Sequence, residues 1–568
     1  MIGTVWEFAK KHFALLVVTG TFLWSAFAIV TYRRQQVPPG VNVVLRLGHW
    51  QLEGGVRDAF DRMAAEYRRQ HPDVLIVQDA IPESTYAQWL TTQLMGGTGP
   101  DLIEVGMMPY SVLLGFHNRY FTPLTASVNV PNPYNAGTDL ESVPWRKTYK
   151  DGMRNGYVEE LQEYMMIPLS QFGIRVFYNK DLLKALTGRE EAPRNFREFL
   201  AACEAIKSHR DAQGRPYAPI AGSAIHINEW DSFMCDPLTY GAVRRVDFNR
   251  DGAVGGDELF VGFKSGRIGF DFPPFAAKFR MLRELSDERQ SGYTGLGRDE
   301  AVFLFAQQRA VFISGGTWDA GSLVEQARGV FALGIMDFPM PGRDDPEFGE
   351  VVEGPAYERP SAGFCMAITR TSKHPEVALD FLRFITSRAG NEQLNGIIGW
   401  IPAINGTRMS PLMQAMEPHL EGVYGAMPIA IGGETMIRWQ QLYALFQIGQ
   451  IDYAGVVKDF LPFYMEKGVE EFAELQRNRR RGRISDEQFL TGFRALAMAT
   501  PEAERAARLV KYRQLTASRL IERDLDAALL QRRLNEGQAT NAVAPYEFSP
   551  EVIGRVRARL SAAGKGGG

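Results

Sequence analysis

Cysteine is scarce in this chain: Cys203, Cys235 and Cys365 are the three cysteines among 568 residues. An odd and widely spaced set does not make a disulfide framework, and the absence of CxxC or CxxH pairs argues against a zinc site. We therefore predict three buried thiols that behave as small apolar side chains.

An excess of charge of either sign is also missing. Lysine and arginine together number 63 and aspartate and glutamate 66, so the formal net charge is -3 and no nucleic-acid partner is implied. The sequence has no GxSxG, no HExxH, no P-loop and no GxGxxG after a strand. No pair of carboxylates can be placed in a cleft, so a glycosidase is not supported. We predict a globular protein that is not an enzyme.

A long uncharged run lies near the N-terminus, from Phe13 to Tyr32, between two lysines and two arginines. About 20 such residues cross a membrane, which makes this run a candidate inner-membrane anchor. The small residues Ala26 to Ala28 also fit the cleavage pattern of a signal peptide. We favour an uncleaved anchor because the apolar part is long for a cleaved signal. Under either interpretation, residues 1–34 direct the rest of the chain out of the cytoplasm.

Strands and helices then alternate. VNVVLRLGHW (41–50), VLIVQ (74–78) and the end of GTGPDLIEVG (97–106) have the composition of buried strands, and two helical segments separate them. The first helix has apolar residues on one face, and this β-α-β-α-β order is typical of a parallel α/β layer. The apolar residues of that face are Val56, Ala59, Phe60, Met63, Ala64 and Tyr67.

Six segments between residues 45 and 404 are informative as a set. They are LRLGHW (45–50), GGTGPDLIEVG (96–106), IPLSQFGIRVFYNKDLLKA (167–185), QQRAVFISGGTWDAGSL (307–323), SAGFCMAITRTSKHPEVALDFLRFITS (361–387) and GWIPAI (399–404). Together they resemble one family, the extracellular solute-binding proteins of carbohydrate ABC importers, which include the maltose-binding proteins (family 1). Each segment is weakly specific alone, but they occur in the family's order over roughly residues 42–460.

The resemblance implies an α/β, two-lobed periplasmic-binding-protein fold (type II) with hinge crossings. It implies a first lobe of residues 42–168 and 356–395 and a second lobe of residues 172–350 and 396–465. It further implies extracytoplasmic binding of a carbohydrate-type solute, by closure of the lobes, and delivery to the permease subunits of an ABC importer. The alternative is a membrane-tethered ligand-sensing module for a signalling partner.

The resemblance also implies which residues hold the solute. Sugars present flat apolar faces to aromatic rings and hydroxyl groups to carboxylates, amides and arginine. For each tryptophan the competing interpretation is a core residue, and for each polar residue it is a capping or bridging role. The candidates are Trp50 and Gln51, Ser170 and Gln171, Trp318 and Asp319, with weaker support Trp230 and Asp231, and Glu434, Arg438 and Trp439.

An acidic loop, VDFNRDGAVGGDELF, occupies residues 246–260. Its carboxylates and amide alternate, Gly252 stands at the sixth position, and a glutamate stands at the twelfth, as in an EF-hand loop that binds Ca²⁺ through oxygen. The competing interpretation is an acidic turn that binds no ion. We predict a structural Ca²⁺ that stabilises an insertion in the second lobe. Its ligands would be Asp247, Asn249, Asp251, the Ala253 carbonyl, a water beside Gly255, and Glu258.

The region 466–568 departs from the family. Residues 501–534 contain no internal helix breaker and would span about 50 Å as a continuous helix. The arginine-rich run from Arg477 to Arg483 is expected to be a solvated face or turn. We predict a helical C-terminal extension, which could be a docking module or a helical cap, followed by a disordered glycine-rich tail.

Overall fold

The computed structural model describes residues 19–25, 38–52, 55–359, 361–540, 551, 554–556 and 558. Most of the predicted membrane span, Phe13 to Tyr32, and the predicted C-terminal tail therefore lie outside the described residues. Residues 19–25 are helical. Within the described ranges, no helix is both long enough and apolar enough to cross a membrane.

The first lobe has the predicted alternation of strands and helices. Helix α1 buries five of its six predicted apolar residues, and β1 pairs in parallel with β2, from Val43 opposite Val74 onward. The elements are β1 (Val43–His49), α1 (Val56–Gln70), β2 (Val74–Ala80), α2 (Glu83–Met95), β3 (Leu102–Glu104), α3 (Tyr110–Tyr120), α4 (Thr125–Val128), β4 (Tyr157–Val158), β5 (Glu163–Tyr164) and β6 (Ile167–Phe172).

The chain passes to the second lobe at Gly173, the single residue between β6 and the next strand. A β-carbon at this position would collide with the carbonyl oxygen of Met416, so glycine is required at the crossing. The elements that follow are β7 (Ile174–Asn179), α5 (Lys180–Thr187), α6 (Phe196–Lys207), β8 (Ala218–Ile220), α7 (His226–Trp230), α8 (Tyr240–Val243), α9 (Gly256–Lys264), α10 (Pro273–Asp287), α11 (Arg298–Ala306), β9 (Ala310–Gly316), α12 (Thr317–Ala327) and β10 (Leu333–Met336).

The chain then returns to the first lobe and leaves it again. The remaining elements are β11 (Ser361–Ile368), α13 (Pro375–Ile385), α14 (Arg388–Ile398), β12 (Ile401–Pro402), α15 (Pro411–Ala415), α16 (Gly433–Gln447), α17 (Tyr453–Ala499), α18 (Glu502–Thr516) and α19 (Arg523–Thr540). Short 3₁₀ and π turns connect several of these elements.

Two sheets define the two lobes. The first has the order β12-β6-β11-β3-β1-β2, and the second has the order β10-β7-β9-β8. In the first sheet β1 is parallel to β2 and β3, whereas β11 is antiparallel to both β3 and β6. In the second sheet β7 is antiparallel to β9 and β10, and β8 is parallel to β9. This is the expected α/β, two-lobed architecture.

The structure differs from the predicted lobe boundaries around residue 400. We expected residues 396–465 to lie in the second lobe, but β12 pairs with β6 of the first sheet. Trp400 and Ile404 are buried in the first-lobe core, and Met416 is the next fully buried residue in a second-lobe cluster. The third crossing therefore follows Ile404. Two strand residues carry too short a periodic pattern to reveal their sheet partner from sequence.

The C-terminal extension is helical over residues 453–499 and 502–540, and it begins earlier than predicted. Helix α17 is 47 residues long and starts at Tyr453. Its first part is amphipathic and buries Phe460, Tyr464 and Phe472 in the second-lobe core. The arginine-rich run lies in the exposed second part of the same helix, so it is a solvated helical face. Two of the three cysteines are buried, and Cys365 is half-buried.

Candidate functional site

The two sheets meet at an edge where several strands end. Because β11 is antiparallel to both β3 and β6, the strands β1, β3 and β6 run in one direction and end at His49, Glu104 and Phe172 on the same side. In the second sheet Ile174 pairs with Gly316, which brings the carboxyl end of β9 to the crossing. Ligands of open α/β sheets bind at such carboxyl ends. We call this region the interlobe edge.

Trp318 forms the second-lobe side of the interlobe edge. It lies in the first turn of α12, is half-buried, and packs against the first-lobe core. Its ring lies 5.3 Å from the ring of Phe172 in an edge-to-face arrangement. A β-carbon on Gly316 would collide with the indole of Trp318, so this glycine makes room for the tryptophan.

Arg298 organises the polar groups around Trp318. Its guanidinium carbon lies 5.4 Å from the centre of the Trp318 ring, a cation–π contact. Its Nη1 lies 2.7 Å from Asp319 Oδ2, and its Nη2 lies 3.9 Å from Glu229 Oε1. Asp319 Oδ2 also accepts the N–H of Gly316 at 3.1 Å and so caps α12. Asp319 therefore has a structural role at the predicted site. Arg298 and Glu229 were not among the predicted site residues, because no sequence motif marks them.

Three further polar atoms at this place are buried and have no hydrogen-bond partner in the described part of the chain. They are Glu229 Oε2, His226 Nε2 and Thr317 Oγ1. Burial lowers the pKa of His226 to about 3, and the nearby arginines act in the same direction, so its imidazole is neutral at physiological pH. Buried polar atoms without partners are costly, and a bound solute with hydroxyl groups would satisfy them.

Burial raises the pKa of Glu229 from its ordinary value of 4.5 to about 7, and the Ser314 hydroxyl and Arg298 offset only part of this effect. The folded protein therefore keeps a proton that the unfolded chain loses between about pH 4.5 and pH 7. This contribution to stability is fully present below about pH 4.5 and is lost as the pH rises to about 7.

We expect Glu229→Gln to remove this pH dependence. Between about pH 4.5 and pH 7.5, the stability of the variant relative to the wild type should rise by up to about 3 kcal/mol. The measurement is urea unfolding of both proteins at a series of pH values. Other buried carboxyl groups titrate alike in both proteins and cancel in the difference. Parallel stability curves would show that Glu229 is ionised in the folded state.

Glu104 organises the first-lobe side of the interlobe edge. Its carboxylate accepts the backbone N–H of Trp50 at 3.1 Å and the side-chain amide of Gln51 at 2.6 Å. Trp50 is half-buried, with its ring 5.0 Å from that of Tyr86. Gln51 is buried and committed to Glu104. Glu104 was not among the predicted site residues, although its position at the end of the strand in GPDLIEVG is a signal that could have identified it.

Ser170 and Gln171 lie in β6, next to the crossing, as predicted. Both are buried between β11 and β12. Ser170 Oγ donates to the carbonyl oxygen of Gly363 at 3.1 Å, so this hydroxyl links two strands. Gln171 pairs through its backbone with Ala362 and Ile401. The structure therefore places both residues at the hinge and gives Ser170 a partner within the sheet.

The structure does not bring the pair Trp230 and Asp231 to the interlobe edge. Trp230 is fully buried, with its ring 5.5 Å from Phe199 and 5.1 Å from Phe338. Asp231 accepts hydrogen bonds from Lys278 at 2.7 Å and from Tyr443 at 2.6 Å. The physical reason is helical geometry, because α7 turns this pair towards the core of the second lobe.

The group from α16 also lies away from the interlobe edge. Trp439 packs into the second-lobe core, with its ring 4.9 Å from Phe460 of α17. Glu434 is exposed and forms an ion pair with Lys467 at 2.9 Å. Arg438 is half-buried on the same helix. Because α17 covers the apolar face of α16, the tryptophan that we assigned to the solute is a packing residue.

The acidic loop folds with its side chains turned onto its own backbone. Asp247 accepts the N–H of Gly252 at 3.1 Å, Asn249 that of Asp251 at 3.1 Å, and Asp251 that of Ala253 at 2.8 Å. Glu258 accepts from two backbone N–H groups, and burial raises its pKa to about 7. Across the described ranges, no group of three or more His, Cys, Asp or Glu side chains is arranged to hold a metal ion.

Two cavities lie outside the interlobe edge. One of about 370 Å³ adjoins the acidic loop and is also lined by Arg479 of α17 and Asp526 of α19. The other, of about 1080 Å³, lies in the second lobe between α10, α16 and the start of α17, and Val556 closes one side. Neither adjoins the carboxyl ends of the strands, so we do not assign the solute to them.

Comparison with known proteins agrees with this geometry. The family model of the bacterial extracellular solute-binding proteins matches residues 53–392, which is more than half of the chain. The chain belongs to this family. The match spans the first sheet, the crossing at Gly173 and the second sheet, and ends in α14. Family membership supports solute binding outside the cytoplasm and argues against catalysis.

Individual relatives are distant. The chain is 19% identical to the multiple sugar-binding protein of Streptococcus mutans over 355 residues, which cover 61% of this chain and 72% of that protein. The structure of RafE from Streptococcus pneumoniae aligns with 76% of this chain and 99% of its own, at 17% identity and a TM-score of 0.50. The structure of the cyclic alpha-maltosyl-1,6-maltose binding protein of Arthrobacter globiformis aligns with 73% of this chain and 96% of its own, at 17% identity and a TM-score of 0.50. These structures show the fold alone.

Proposed function

We propose that this protein binds a carbohydrate-type solute at the interlobe edge and delivers it to the permease subunits of an ABC importer. The observation that carries the proposal is the environment of Trp318. A half-buried indole lies at the carboxyl end of β9, where it contacts Phe172, Arg298 and the first-lobe core. Beside it are the buried polar atoms of Glu229, His226 and Thr317.

A neutral polyhydroxyl solute fits this chemistry. An aromatic face binds the apolar C–H face of a sugar ring, and buried donors and acceptors bind its hydroxyl groups. Arg298 is the cation that contacts the Trp318 ring. It already pairs with Asp319 at 2.7 Å, so it offers little attraction for an anionic solute. Solute that touches both lobes would favour their closure, and a permease would recognise the closed form.

Relatives support the carbohydrate class. The curated relative in Streptococcus mutans is named a multiple sugar-binding protein, and RafE is described in complex with raffinose. We test the solute class by thermal unfolding of residues 40–568 with mono- and oligosaccharides, and with amino acids as a control panel. A true solute at 100 times its Kd should add about 2.7 kcal/mol to the free energy of unfolding. Stabilisation by amino acids alone, or turnover of a sugar, would refute the proposal.

Delivery and location need separate tests. We propose that residues 13–32 tether the exported protein to the inner membrane, since this uncharged run is long enough to cross it. N-terminal sequencing of protein from the membrane fraction decides between an anchor and a cleaved signal. Loss of uptake of the identified sugar in cells that lack this protein would establish delivery, whereas unchanged uptake would leave a sensing role.

We also propose that the acidic loop binds one structural Ca²⁺. Asp247 Oδ1 is buried and has no hydrogen-bond partner in the described part of the chain, and Glu258 is a buried carboxyl group. Asp526 of α19 lines the adjoining cavity and could add a carboxylate. Since side chains that cap their own loop must turn to bind an ion, binding would be coupled to a small rearrangement of the loop.

We expect Asp251→Ala and Glu258→Ala to reduce Ca²⁺ binding, because each removes a carboxylate that the ion needs. Each variant in millimolar Ca²⁺ should melt near the temperature of chelator-treated wild type, with solute affinity changed by no more than a few-fold. The measurement is calorimetric titration of Ca²⁺ with parallel melting curves. Asp287→Ala, an exposed carboxylate on α10, is the control. Absence of both heat and melting shift in the wild type would identify the loop as an acidic turn.

A further inference from the structure

The C-terminal extension contacts both lobes, and its contacts with the two lobes differ in kind. We propose that residues 453–540, which we call the strap, move with the second lobe and latch reversibly onto the first lobe at Glu160 and Glu163. Movement of the lobes would then require release of this latch. The proposal rests on the lobe closure proposed above, but its test needs no solute.

The strap is attached to the second lobe by apolar packing. Phe460 and Tyr464 of α17 are buried in the second-lobe core, and Leu530 and Leu534 of α19 belong to the same cluster. Arg479 of α17 adds an ion pair with Asp257, at 2.7 Å, at the start of α9. Separating these surfaces would expose large apolar side chains to water, which is unfavourable. The strap and second lobe therefore form one body.

Within the described residues, two polar contacts join the strap to the first lobe. Lys511 of α18 forms an ion pair with Glu163 of β5. Arg519, in the π turn after α18, donates from Nε to the carbonyl oxygen of Glu160 at 2.8 Å. The segment around these glutamates belongs to the first lobe, since Leu161 is buried in a cluster with Tyr86.

Arg519 is held in place by the strap itself. Its Nη1 lies 3.0 Å from Asp486 of α17, and its guanidinium lies 4.4 Å from the centre of the Phe489 ring. Contacts within the strap therefore position the Arg519 guanidinium, and this position does not depend on the first lobe. Lys511 and Glu163 keep 25% and 19% of their side-chain surface exposed, so water can reach both charged groups when they part. A hinge movement would accordingly break the first-lobe contacts and leave the second-lobe packing intact.

The test measures the distance between strap and first lobe. Spin labels are attached at Ala126→Cys of α4 and Ala507→Cys of α18, both exposed positions, with Cys365→Ser to remove the half-buried thiol. We expect Lys511→Glu to replace attraction by repulsion and to lower the population at the short distance about tenfold. Glu163→Lys alone should act in the same way. All measurements use the protein without solute.

The charge-swapped double variant Lys511→Glu with Glu163→Lys should restore the short distance, because attraction is restored. Arg508→Glu is the matched control, since Arg508 lies on the same helix and pairs with Glu504 of that helix. It should leave the distance unchanged. An unchanged distance in Lys511→Glu would overturn the proposal, and so would failure of the swap to restore it, since the single variants would then act by misfolding. Absence of carbohydrate binding bears only on the proposed function.

Discussion

Trp318→Ala should weaken solute binding about fivefold to more than a hundredfold, which corresponds to about 1–3 kcal/mol. The expected loss is the stacking and burial of one aromatic ring at the interlobe edge. Because Trp318 is only half-buried, the free energy of unfolding should fall much less than for a core tryptophan. Calorimetric titration with the identified sugar, together with urea unfolding of the free protein, measures both quantities.

Trp318→Phe is the control for this variant. A phenyl ring keeps an aromatic face beside Phe172 and Arg298, so it should retain most of the affinity. Trp318 also packs against the first-lobe core, which gives the competing interpretation of this residue as a packing element. If Trp318→Ala unfolds readily while the remaining folded protein binds solute normally, the residue is a packing element and the proposed site is wrong.

Trp230→Ala should lower the stability of the protein and leave its affinity for solute nearly unchanged. The side chain is fully buried among Phe199 and Phe338, and truncation would leave a large cavity. We expect the free energy of unfolding to fall by about 3–5 kcal/mol. The affinity of the folded protein for solute should stay within a few-fold of the wild type, because the fully buried Trp230 side chain cannot contact the solute. Urea unfolding and calorimetric titration test the two parts separately.

Trp230→Phe again provides the comparison. It preserves part of the packing and removes an indole N–H that has no hydrogen-bond partner in the described part of the chain. Its cost should therefore be smaller than that of alanine. A Trp230→Ala protein that remains stable but loses affinity would restore the interpretation based on family position, in which this tryptophan contacts the solute.

Local patterns were sufficient for the first strands and helices of the first lobe. The apolar spacing of residues 56–67 predicted α1 and its buried face, and the breaker-bounded apolar runs predicted β1, β2 and β3. These features depend on side-chain periodicity within one element, so they can be recognised without knowing any partner. The acidic loop was also recognisable, because its alternating oxygens and Gly252 lie within twelve residues. Whether it holds Ca²⁺ stays a prediction.

Local sequence patterns and family position predicted only part of the proposed solute site. Trp50 and Trp318 follow strands directly, and the structure places both at the interlobe edge. Trp230 and Trp439 lie in helices whose exposed and buried faces depend on what packs against them. Four tryptophans of the same chemistry were thus separated into cleft and core by neighbours from distant parts of the chain, such as Phe338 and Phe460.

The amino-acid sequence by itself determined the order of strands and helices, the export segment as a prediction, and the family to which the chain belongs. Only the tertiary structure decided which polar groups meet: Arg298 with Asp319 and Glu229, Glu104 with Gln51, and Lys511 with Glu163. The physical reason is the separation along the chain over which each interaction acts. Periodicity and turn chemistry act over a few residues, whereas these pairs are between 21 and 348 positions apart and form only when distant elements of a lobe, or the strap and the first lobe, pack together.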